Sequence, residues 1–357
     1  MSARVVICCG SGGVGKTTTS AALGLSAAVQ GLKVVVLTID PAKRLADSLN
    51  VEAIGGEPVR VPIENARGHC DAVMLDVEQT FEGLIHTFAE SPEAAEQILN
   101  NRYFQFASSR LGGVHEYMAA EKVRELANCG AYDVVVVDTP PSRNALDFLR
   151  APERIAGLMD GGVMRWIAMP ATRSGWRALE LGSEAVAKVL RKLVGTGTIG
   201  EIAHFFELFR DLWDGFHARS LEVQGILSSP QTRFYLVTSP APTARAEALF
   251  FLEQLKHYSM PFGGFIVNRT ELGPSHVASV DELHAHTDLD LDETVTDQLL
   301  GVPRCQAKLA DLHERSIQSL LSAGPRDADH WVIPDLGRPA EKLADLLDLA
   351  EHLPTLE

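Results

Sequence analysis

Apolar positions along this chain fall into two periods. Short, unbroken runs of apolar, mostly β-branched residues (Val5-Val6-Ile7, Val34-Val35-Val36-Leu37, Val134 to Val137) alternate with longer stretches in which Ala and Leu recur at helical spacing. Unbroken runs of this kind predict strands of a parallel sheet covered on both faces. The first strand, from Arg4, enters a glycine-rich turn. Thr18 to Gln30 then predicts a helix through Ala21, Ala22, Leu23, Leu25, Ala28 and Val29, and Gly31 stops it. Lys33 to Ile39 predicts the second strand, which completes a βαβ unit.

Further strands are predicted at Asp71 to Val77, Tyr132 to Asp138, Arg233 to Ser239, Gly264 to Asn268 and His330 to Pro334. Residues 51 to 70 read as loops with a short strand. Thr80 to about Ser108, His115 to Asn128, Thr243 to His257 and Pro339 to His352 read as helices. Residues 271 to 300 are acidic and read as irregular. From Pro152 to about Leu227 the buried-strand pattern is absent, which predicts a helical insertion. The fold expected is α/β, a mostly parallel central sheet flanked by helices plus an inserted helical subdomain. Its core would span 1–150 and 231–357, and the insertion 151–230.

Composition narrows the function. Of 357 residues, 46% are hydrophobic and 22% charged, as in ordinary globular chains. The net charge of −15 argues against nucleic acid as a partner, because phosphate backbones require a basic footprint. No apolar run approaches the roughly 18 residues of a transmembrane helix, so no such segment is expected. The chain enters its first strand at once, so no secretory leader is expected either. Five cysteines (Cys8, Cys9, Cys70, Cys129, Cys305) without C-x-x-C spacing fit reduced thiols, and a cytoplasmic location is expected.

The chemistry concentrates at the first turn. Gly10, four residues, then Gly15-Lys16-Thr17 satisfy the G-x-x-x-x-G-K-[ST] pattern between a strand and a helix. Glycines allow consecutive backbone N–H groups to converge on phosphate oxygens, and the helix that follows directs its positive end at the same anion. Lys16 supplies a point charge to the β- and γ-phosphates, and the Thr17 hydroxyl can ligate Mg²⁺. The loop is thus expected to hold the phosphates of a nucleotide, with Mg²⁺ beside them.

Three further residues are candidates by position. Asp138 ends a buried strand and can support the metal as a Walker-B acid does. Asp40 ends the second strand, where a carboxylate can orient or deprotonate an attacking water; a plain Asp-Pro turn is the alternative. Asn268, in GFIVNR, suits amide recognition of a base edge, and equally an ordinary turn.

SGGVGKTT, IDPAKRLADSL, VVVVDTPPSRNALDFL and FIVNR, in this order, resemble the ArsA/Get ATPases within the deviant-Walker class that includes MinD, ParA and nitrogenase iron protein. Leu111-Gly112-Gly113-Val114-His115-Glu116 is similar to a degraded form of that family's Pro-Gly-x-x-Glu stretch. The resemblance implies a seven- or eight-stranded core, an ATP-driven dimer and a helical subdomain that handles cargo. It also implies ATP and Mg²⁺ as cofactors, phosphate binding by Gly12, Gly13, Val14, Gly15, Lys16, Thr17 and Thr18, catalytic roles for Asp40 and Lys16, a metal site served by Thr17 and Asp138, and adenine contacts from Asn268 and the Ile333-Pro334 turn.

Three departures qualify what the resemblance implies. The family loop carries a lysine that reaches the partner's nucleotide across the dimer; here Ser11 stands at that position. A hydroxyl supplies no positive charge. Slow hydrolysis, substitution by Lys43 or Arg44, or a heterodimer with a related ATPase that carries the lysine would each account for it. The zinc-binding C-x-x-C of eukaryotic targeting ATPases is absent, and so are the arsenite-pump cysteine cluster and duplicated half. The expected function is therefore an ATPase that couples nucleotide state to dimer conformation and to a protein partner or hydrophobic cargo. Met159, Met164, Trp166, Ile167 and Met169 suit an adaptable apolar groove, and equally the core of a helical subdomain. The alternatives are a low-activity ATP-binding subunit that scaffolds a paired ATPase, and a MinD/ParA-like switch. The acidic C-terminus weighs against a MinD-type membrane helix.

Overall fold

Val134 to Val137 lie fully buried near the middle of an eight-stranded sheet. In this computed structural model, residues 2–40, 44–49, 51, 53–64, 66–101, 114–140, 212, 215–286, 292–340 and 342–356 are described. Contacts divide the chain into two compact units: Met1–Met74, Cys129–Ala145 and Pro230–Glu357 form one, and Leu75–Asn128 with Leu146–Ser229 the other. Most of the segment read as a helical insertion, including Met159, Met164, Trp166, Ile167 and Met169, lies outside the described residues.

The first unit contains β1 (Arg4–Cys9), α1 (Lys16–Val29), β2 (Lys33–Thr38), α2 (Arg44–Leu49), β3 (Val59–Arg60) and β4 (His69–Met74). It continues, after helices of the second unit, with β5 (Val134–Asp138). The last part adds β6 (Thr232–Thr238), α7 (Pro242–His257), β7 (Phe262–Thr270), α8 (Val280–His286), α9 (Glu293–Ala323), β8 (His330–Pro334) and α10 (Leu343–Ala350). The strand order is β3-β4-β2-β5-β1-β6-β7-β8. Every neighbouring pair is parallel except β3–β4 at the edge. The expected mostly parallel sheet is therefore present.

Register brings the carboxyl ends of the central strands level. Cys8 and Thr38 both pair with Asp138, and Thr238 pairs with Val267, one residue before Asn268. The core beneath this edge is the α1 face (Ala21, Leu23, Leu25, Ala28) against Val34, Val36, Val134 and Val136, closed by Leu346 and Leu349 of α10.

Several boundaries differ from those expected. The strand expected to run to Val77 ends at Met74, because Asp76 caps the next helix by accepting from Gln79 N at 2.9 Å. The acidic stretch read as irregular to residue 300 gives way at Glu293 to a 31-residue helix, capped by Asp292, which accepts from Val295 N at 2.8 Å. That helix contains Pro303 and exposes Leu299, Val302 and Leu312 while burying Leu300, Ile317 and Leu320.

In the second unit, α3 (Val77–Phe88), α4 (Pro92–Leu99), α5 (Val114–Asn128) and a helix over 215–227 (α6) are described. Phe81, Phe88 and Tyr117 surround Phe216, with ring centroids 6.0–6.3 Å apart. Buried Glu121 accepts from Arg124 through both Nε and Nη2 at 2.8–3.0 Å, with Arg219 at 3.9 Å.

Candidate functional site

The loop between β1 and α1 is shaped by glycines placed where no side chain fits. A Cβ at Gly10 would lie 2.0 Å from the Val237 carbonyl oxygen, so only glycine lets the loop turn against β6. Gly15 sits at φ 95° as the residue before the first turn of α1. Gly12 and Gly13 lie on the exposed lip, and Val14 is buried as the anchor. As at any helix start, the first N–H groups of α1 have no acceptor in a preceding turn of the helix, and here the helix follows directly on the glycine loop.

Lys16 begins α1 and is buried; its ammonium donates to the Ser11 carbonyl at 2.8 Å. Burial lowers its pKa, and Asp138 opposes that shift. Thr17 Oγ1 donates to Asp138 Oδ2 at 2.7 Å, and Thr38 Oγ1 reaches the same oxygen at 3.3 Å. Asp138 Oδ1 is buried and has no hydrogen-bond partner among the described residues. Desolvation raises the Asp138 carboxyl to about 6, against the opposing hydrogen bond from Thr17 and charge of Lys16. Thr139 secures the turn that follows by donating to the Cys8 carbonyl at 2.8 Å.

This donor set fits Mg²⁺. A hydroxyl and a carboxylate in contact offer hard oxygens, and the orphaned Oδ1 is a buried acceptor that a cation or its water shell would satisfy. No cluster of three or more His, Cys, Asp or Glu occurs among the described residues. A metal that takes most of its ligands from phosphate and water needs no such cluster.

Asp40 lies just beyond β2, and its carboxylate stands 3.8 Å from Arg44 Nη1 across one turn. Lys43 lies outside the described residues. Asn268 comes to the phosphate loop itself: its Nδ2 donates to the Val14 carbonyl at 2.8 Å. Pro334 ends β8, in register with Thr270. Cys8 and Cys9 pack in the core of β1, and burial pushes both thiols up to about 12. Two contributors were missed in the sequence. Thr38 ends β2 and Thr139 follows Asp138 at the end of β5, and only the β2–β5–β1 register shows that they meet Asp138 and Cys8.

Residues 3–290 match the family model of the anion-transporting ATPases, ArsA_ATPase. The chain belongs to that family. ArsA-family ATPases are P-loop ATPases, and the mostly parallel eight-stranded sheet described above is consistent with that class. The ArsA-family chain is 24% identical to ATPase BagA of Mycobacterium tuberculosis, over 98% of its own length and 92% of the relative. It is 24% identical to ATPase ARSA1 of Chlamydomonas reinhardtii, over 87% of the chain but 41% of that longer protein. It is 30% identical to ATPase GET3 of Malassezia globosa over 42% of the chain and 43% of the relative. No described helix is long and apolar enough to cross a membrane.

Proposed function

We propose that this ArsA-family ATPase binds Mg-ATP in the Gly10–Thr18 loop and hydrolyses it slowly on its own. Nucleotide state would set the conformation of a dimer and its hold on a protein partner or hydrophobic cargo. The single observation that carries the nucleotide reading is the pairing of Thr17 with Asp138 at 2.7 Å beside a buried carboxylate oxygen that has no partner among the described residues. Such an arrangement costs stability unless a cation uses it.

The chain's own groups then take defined roles. Lys16 leaves the Ser11 carbonyl to reach the β- and γ-phosphates. Thr17 and Asp138 hold the metal side of the site, with Thr38 orienting the carboxylate. Bound Mg²⁺ supplies charge neutralisation of the phosphates. Asp40 is the acid placed to orient the attacking water, with Arg44 beside it. Asn268 and Pro334 are the proposed adenine contacts. The cargo part of the reading rests on the sequence of 151–230.

Slow turnover follows from Ser11. The residue is buried and contributes its carbonyl to Lys16, so this loop position carries no side-chain cation. The same observation favours a second reading, in which the chain is the low-activity member of a pair with a related ATPase. Sedimentation of the purified chain with ADP and with a non-hydrolysable ATP analogue, alongside steady-state turnover, tests both. A nucleotide-dependent change in dimer sedimentation with slow turnover supports the first reading. A monomer that binds nucleotide but never turns over supports the second. Absence of nucleotide binding contradicts both.

A further inference from the structure

Asn268 makes a contact that base recognition does not require. Its Nδ2 donates to the Val14 carbonyl at 2.8 Å, across 254 positions of sequence. Its Oδ1 accepts from Arg269 N at 2.9 Å, which fixes the orientation of the amide. The backbone is shaped around this reach. Arg269 adopts φ 59°, the left-handed region that non-glycine residues seldom enter, and the β7–β8 register shifts between Val267 and Thr270. The strand thus leaves its ladder where its side chain meets the loop.

The loop side is shaped to match. A Cβ at Gly15 would lie 2.2 Å from Asn268 Nδ2, and Gly15 is itself at φ 95°. Gly15 therefore serves two ends: it turns the loop into α1 and leaves room for this amide. The peptide joining Val14 to Gly15 is planar and trans, so its C=O and N–H point to opposite sides. Holding the carbonyl at Asn268 directs the Gly15 N–H the other way. On the far side of the loop, Gly10 lies against the Val237 carbonyl, so β6 and β7 hold the turn at both ends.

We infer that Asn268 is a positioning residue of the phosphate loop: through the Val14 carbonyl it holds the Gly15 N–H in its anion-facing direction, whatever the base. The inference rests on the nucleotide reading above and adds a role that acts on phosphate. Removal of the amide weakens binding of any polyphosphate, because the loop must then be ordered by the ligand. A residue that only reads the base acts on nucleotides alone.

The experiment compares Mg-ATP with Mg-tripolyphosphate, which has no base, by titration calorimetry on the wild-type chain, Asn268→Ala and Asn268→Asp. Chemical denaturation of each variant establishes that it is folded. The expected result in Asn268→Ala is a loss of about tenfold in affinity for Mg-tripolyphosphate, the scale of one lost buried hydrogen bond, and a loss at least as large for Mg-ATP, to which the adenine contact adds. Asn268→Asp, nearly isosteric but unable to donate when ionised, is expected to lose at least as much for both. Amide exchange of Gly15 and Lys16 should quicken in either variant while that of β1 does not. Loss of ATP affinity with tripolyphosphate binding unchanged overturns the inference and leaves Asn268 a base contact. Failure of the wild-type chain to bind either ligand overturns the nucleotide reading instead.

Discussion

Thr17 and Asp138 stand 121 positions apart in sequence, yet the threonine hydroxyl donates to the carboxylate at 2.7 Å. The parallel pairing of β1 with β5 produces this contact, since Cys8 and Asp138 share a register position at the sheet's carboxyl edge. If the pair serves a metal, Thr17→Ala and Asp138→Asn should each lower Mg²⁺-supported ATP affinity at least tenfold. Affinity measured in EDTA should change much less. Titration with and without Mg²⁺ checks this, and equal losses in both conditions would count against a metal role.

The buried carboxylate also predicts a pH dependence. Asp138 has a folded-state pKa of about 6, raised from an ordinary 3.8 mainly by desolvation. The folded state therefore holds this proton more tightly than the unfolded chain. The associated stability is fully present below about pH 3.8 and is lost as pH rises through about 6. The shift corresponds to a few kcal/mol, about 3. Denaturation in EDTA between pH 4 and 7 should show wild-type stability falling relative to Asp138→Asn. Parallel curves would contradict the assignment.

Ser11→Lys should raise steady-state turnover by at least tenfold, if a cation at this loop position is what the chain lacks. Transition-state cations in phosphoryl transfer contribute about 10³ to 10⁵ in rate. Unchanged turnover in the pure chain and in mixtures with wild type would sink the explanation for slow hydrolysis.

Asp40→Asn should lower kcat about 100-fold and leave ATP affinity within a fewfold, as for a group that acts on the attacking water. A matched loss of affinity and rate would show a binding role instead.

Glu121→Ala addresses the second unit. It leaves Arg124 and Arg219, both largely buried, without their shared carboxylate. The expected loss is about 3 kcal/mol. Fluorescence-detected unfolding checks it, and an unchanged midpoint would show that Glu222 compensates.

The phosphate loop, the central strands and Asp138 were legible because their signals are local. Gly10, Gly15, Lys16 and the valine runs state their environment within a few residues. The edge strand β3 spans only Val59–Arg60 and its pairing with β4 is antiparallel, so it left little pattern. The long helix α9 was hidden because Leu299, Val302 and Leu312 face solvent while Leu300, Ile317 and Leu320 are buried, which blurs a single apolar stripe. The Asp292 cap was the available signal, and it was lost among neighbouring acids. Roles set by register were illegible. Thr38 meets Asp138 only because β2 lies beside β5, and Asn268 meets Val14 only because β7 ends beside the loop.

Titration of Mg-ATP into the wild-type chain and into Lys16→Ala tests nucleotide binding by the loop most directly. Lys16 lies buried on the loop with its ammonium 2.8 Å from the Ser11 carbonyl, ready to exchange that oxygen for phosphate. The expected result is saturable binding by the wild type and affinity at least 100-fold weaker in the variant, with folding retained. Equal affinity in the two proteins, or no binding by either, would contradict the account.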